Sequence, residues 1–132
     1  MKALTITQMI LRVAALLAVI LGIIFWANPS FYYTNKALIN IHMLLGIIVV
    51  LSLWTIGFLQ GRLKGGNFGL ALGTFVVGLI VAIVGMFQHS WKDAGVNVEM
   101  LNGIHLLLGI IAVGFGEMIG GRVKRAAKAA QA

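Results

Sequence analysis

Cysteine is absent from this 132-residue chain, and aspartate and glutamate together number only three. Without thiols there can be no disulfides, no thiolate-ligated iron–sulfur cluster and no covalent c-type haem attachment. The acids, Asp93, Glu99 and Glu117, supply neither a carboxylate pair for acid–base chemistry nor a cluster for a hard metal. There is no serine, histidine and acid constellation, and no phosphate-cradling glycine loop ahead of a helix. Charge is scarce altogether, at 10% of residues, while 61% are apolar. A water-facing surface cannot be built from this composition, which belongs to the membrane class.

Four apolar stretches are each long enough, at about 20 residues, to cross about 30 Å of hydrocarbon as helices. They cover roughly 8–27, 37–60, 67–88 and 100–120. The first, with Lys2 ahead of it, has the outline of a signal peptide. Its alignment with a later stretch makes it a span instead.

Lysine and arginine alternate between the two sides. Lys2, Arg12, Arg62, Lys64, Arg122, Lys124, Arg125 and Lys128 fall on one side, against Lys36 and Lys92 on the other. By the positive-inside rule both termini are cytoplasmic, and a bacterial inner membrane is the expected location. Tyr32, Tyr33 and Trp91 then occupy the outer interface, where amphipathic rings prefer to be. The net charge of +7 does not indicate nucleic acid, because the basic residues flank spans and have no interleaved aromatic platform. Topology and contact with anionic lipid account for them.

Sliding the sequence against itself by 63 residues pairs His42 with His105, Gly46 with Gly109, Gly22 with Gly85 and Arg62 with Arg125. "NIHMLLGI" is thereby laid on "GIHLLLGI" without a gap. Apolar helices match by chance, whereas histidine, glycine and arginine matching in one register indicate a duplicated helical hairpin. The expected fold is all-α: one membrane domain over 1–132, an up-down four-helix bundle of two tandem hairpins, about 8–63 and 67–126. Each unit holds two spans, so the copies enter the membrane in the same direction, related by an axis along its normal. His42 and His105 then lie at one depth, about six residues or 9 Å inside the outer helix ends.

Diagonal helices of a bundle stand about 11–14 Å apart. Two imidazoles reaching inward across that gap leave room for a flat macrocycle with its metal on the axis. At helical spacing His105 shares a stripe with Asn102, Gly109, Ala112, Gly116 and Gly120, while His42 shares one with Ile39, Gly46, Val49, Leu53 and Gly57. Gly22 and Gly85 lie on the neighbouring helices. Small residues let membrane helices approach closely, and glycines also clear a slot for a tetrapyrrole edge. An intramembrane histidine needs a polar partner or a metal, and two related by the repeat axis point to paired axial ligands.

The remaining polar residues have plainer readings. His89 aligns with Trp26 and is an interfacial residue, or one near haem propionates. Lys36, Tyr32, Tyr33 and Lys92 are interface anchors or propionate contacts. Glu117 is expected to pair with Arg122, about one turn away. Asn102 stands three residues before His105, to steady its ring or cap the helix, and its repeat partner Ile39 can do neither.

At "INIHMLLGI" and "LNGIHLLLGI" the chain resembles small four-helix membrane b-type cytochromes, and more loosely the haem-bearing bundle of cytochrome b subunits of quinol-oxidising complexes. The resemblance implies one non-covalent haem b with His42 and His105 as axial ligands and Gly22, Gly46, Gly85 and Gly109 as clearance. It implies an electron-carrying subunit, not an enzyme as an isolated chain, working with other membrane subunits of a respiratory or photosynthetic complex. Quinol fits as the donor, although no quinone site can be read. The chain departs from the two-haem pattern by having no second histidine pair toward the cytoplasmic side. Two alternatives stay open: each histidine ligates its own (bacterio)chlorophyll, or the chain is a cofactor-free structural or assembly subunit. Transport is weaker, because duplicated transporters usually carry a midplane acid or a broken helix.

Overall fold

The computed structural model describes residues 2–63 and 66–129, with only the backbone of His89. The chain forms α1 (Lys2–Ala27), α2 (Pro29–Thr34), α3 (Lys36–Gly61), α4 (Phe68–Asp93) and α5 (Val98–Ala129). No strand occurs among the described residues. Four of these helices are long and apolar enough to cross a membrane, which makes the chain an integral multi-pass membrane protein in form. Leu16, Leu44, Met86 and Leu107 point away from the bundle, as lipid-facing side chains do.

The helices run past the apolar stretches counted from the sequence. Backbone hydrogen bonding continues wherever propensity allows, irrespective of where hydrocarbon stops. The short α2, not expected from hydropathy, begins with Pro29 in its first turn, where the missing N–H costs nothing. Asn67 caps α4 by accepting a hydrogen bond from the Leu70 N–H. Gly95, at φ +87°, turns the chain between α4 and α5, a conformation that a side chain would resist.

α3 packs against α1, α4 and α5, and α1 and α4 each also contact α5. The tightest packing lies in the half of the bundle that holds the start of α1 and the later part of α5. Leu4, Leu11, Ala14, Ala15, Val49, Ile56, Ile119 and Val123 form one buried cluster there, and Val50, Leu53, Val81 and Ala112 a second beside it. Glycines make the close approach possible: a Cβ on Gly116 would sit 2.6 Å from Leu11 Cδ2, and one on Gly57 would collide with the Thr74 hydroxyl. Gly57→Leu is therefore expected to force α3 from α4 and cost about 1–3 kcal/mol, read as a lowered unfolding midpoint in detergent. A midpoint unchanged by this substitution would mean that the two helices are not in close contact.

The histidine-bearing half is looser. His42, Gly46, His105 and Gly109 are all only half-buried there. Phe25, Val84 and Leu101 are buried apolar side chains there.

Candidate functional site

α3 and α5 each direct one histidine toward the other. The ring centroids of His42 and His105 are 6.2 Å apart, with the planes inclined at 63°. Both Nδ1 atoms are buried and have no hydrogen-bond partner. Phe25 meets His42 edge-on at 5.8 Å and 78°. An unpaired imidazole nitrogen in a medium without water is costly.

The four candidate glycines fall into two like pairs. A Cβ on Gly22 would lie 3.3 Å from Cε1 of His42, and one on Gly85 would lie 2.9 Å from Cε1 of His105. These two admit the imidazoles themselves. Gly46 and Gly109, one turn further along α3 and α5, would each place a Cβ in open space. Residues that correspond at the 63-residue offset thus have corresponding surroundings.

Outward from the histidines the side chains are polar and joined across helices. Gln88 Nε2 donates to Asn102 Oδ1, linking α4 to α5. Trp26 Nε1 donates to Glu99, linking α1 to α5, beside a shallow cleft of about 310 Å³ lined by Ile23, Trp26, Ala27 and Glu99. Lys92 donates to the Tyr33 hydroxyl and also lies 5.2 Å from that ring's centroid. That hydrogen bond, the attraction of the phenol and the nearby Asp93 hold the Lys92 amine above its ordinary range, so it stays charged. The side chain of His89 lies outside the described residues.

At the other end the expectation for Glu117 is corrected. Its carboxylate accepts two hydrogen bonds from Arg12, at 2.8 Å from Nε and 2.6 Å from Nη2, in a forked pair that ties α1 to α5. Arg122 is one turn along the same helix, but Arg12 reaches the carboxylate from the helix packed alongside. Spacing along one helix could not reveal that partner.

Gln8, marking a span boundary in the sequence, is 2% exposed, and its amide rests against Gly120. Gln60 is also buried, and the side-chain oxygens of both glutamines have no partner.

Among the described residues no group of three or more histidine, cysteine, aspartate or glutamate side chains converges as a metal cage would require. No protein-family model, curated protein or solved structure matches the chain.

Proposed function

We propose that the chain is a b-type cytochrome subunit: an up-down bundle of two tandem hairpins, with cytoplasmic termini, holding one haem b between His42 and His105 near the outer face. The observation that carries this reading is the facing pair of half-buried imidazoles at 6.2 Å between centroids, each with an unpartnered Nδ1. At that separation the two imidazoles would be close enough to hold one metal ion between them. The donor set of two imidazoles would suit iron in a macrocycle, which draws only two ligands from protein.

The chain's residues have distinct parts. Gly22 and Gly85 let the rings seat between helices, and Gly46 and Gly109 leave space beside them. The tightly packed half, with Leu11, Leu53, Ile56 and Ile119 fully buried, fixes the helices that carry the ligands. Haem b, when bound, supplies a one-electron iron couple. His42 and His105 would both be taken up in holding the group, which suits electron transfer rather than oxygen chemistry.

With short connections and no soluble module in this sequence, the subunit passes electrons to other membrane subunits of a respiratory or photosynthetic complex, in a bacterial inner membrane. Quinol remains the donor class that fits. The test is the absorption spectrum of protein purified from its native membrane. Sharp reduced-minus-oxidised α and β bands are expected. Red or near-infrared bands indifferent to redox state would replace this reading with pigment binding, and no visible absorbance would leave a structural subunit.

A further inference from the structure

The 63-residue offset matches the two histidines and their glycines, but the match fails one turn outward. Beside His42 stand Phe25 and Ile39, and at the corresponding positions beside His105 stand Gln88 and Asn102. Phe25 packs its ring on His42 and on Tyr32, at 5.8 Å and 5.5 Å, which makes the α1–α3 side an apolar wall. On the α4–α5 side the Gln88 amide donates to Asn102, and both side chains are half-buried. Asn102 Nδ2 donates to nothing among the described residues. One turn further out on α4 is Lys92, exposed and charged. The Asn102 amide is thus an unspent N–H donor with the Lys92 cation further out on α4, while Lys36 begins α3 and the acids at this end are Asp93, beside Lys92, and Glu99, which takes the Trp26 N–H.

A tetrapyrrole with two carboxylate side chains cannot leave them in hydrocarbon, where an unpaired charge is costly. It needs donors on the way to water. We propose that the Gln88–Asn102 amide pair is the carboxylate subsite of the clamp, with the Asn102 amide donating to the nearer carboxylate. The prosthetic group is then held with its acidic edge toward α4 and α5 and its apolar edge toward Phe25. This rests on the haem reading above. It adds which side of the bundle takes the acidic edge, and it separates the roles of two otherwise matching half-sites.

The test compares ferric protohaem with its dimethyl ester, which keeps the ring and iron but removes both charges. Each is titrated into the full-length apoprotein in detergent and followed by the low-spin Soret band. The wild type should bind the diacid about tenfold more tightly than the diester, the scale of a charge-assisted hydrogen bond. Gln88→Leu combined with Asn102→Leu should bring that ratio near one while both compounds still give a low-spin spectrum. Gln88→Glu, which keeps the side chain's size, should invert the preference by placing like charge beside the carboxylates.

If the ratio survives these substitutions and only the unfolding midpoint falls, the pair is interhelical glue and the subsite is overturned while the haem reading stands. If neither compound gives a low-spin spectrum with the wild type, the haem reading fails and the subsite with it.

Discussion

Alanine at His42 or at His105 is expected to remove the reduced-minus-oxidised α and β bands altogether. On the proposed haem reading each histidine would supply one iron ligand, so a single replacement would leave a one-sided site. Losing a residue that merely orients a metal ligand costs about 10–100-fold in affinity, so losing the ligand itself should cost at least about a hundredfold. The fold should survive. Both rings are only half-buried, and each replacement removes a buried nitrogen with no partner, which offsets part of the lost packing. Far-ultraviolet circular dichroism should therefore be unchanged while the visible spectrum is lost. Full haem content in both single variants would rule out the clamp.

The second large effect separates a slot from ordinary helix packing. Gly46→Leu with Gly109→Leu is expected to leave the apoprotein as stable as the wild type or slightly more so. No atom stands within 4 Å of a Cβ at either position, and replacing glycine inside a helix recovers up to about 1 kcal/mol of propensity. Yet haem affinity should fall about tenfold or more, because two added side chains occupy the room beside the imidazoles. Unfolding midpoints and haem titration on one preparation read both quantities. A double variant that binds haem like the wild type would show that the open space is not the slot. Gly85 gives the opposite case: a Cβ there would already press on His105 at 2.9 Å, so even alanine must displace the imidazole in the apoprotein.

The four long helices were legible because hydrocarbon asks for little more than length and apolarity, and the runs supply both. The residues of the proposed clamp stood out for a different reason. Histidine and glycine recurring in one register at a fixed offset mark positions independently of their partners. The short α2 was less visible, since hydropathy does not register a six-residue helix. Gln88, marking the end of a span in the sequence, becomes a candidate only when it is bonded to Asn102 on the next helix. Its one signal was the failure of the repeat at Phe25 and Gln88, which acquires meaning once both are seen beside histidines.

By itself the sequence determined the class of molecule: a helical membrane chain with no thiol or carboxylate chemistry and two matched histidines. These follow from composition and spacing, which act locally along each helix. Only the tertiary structure decided that Glu117 pairs with Arg12, that Gly22 and Gly85 face the imidazoles, and that Gly46 and Gly109 face open space. Such relations depend on the rotation and separation of neighbouring helices. A helix's own sequence specifies which residues share a face, but what that face meets is set by packing against the others.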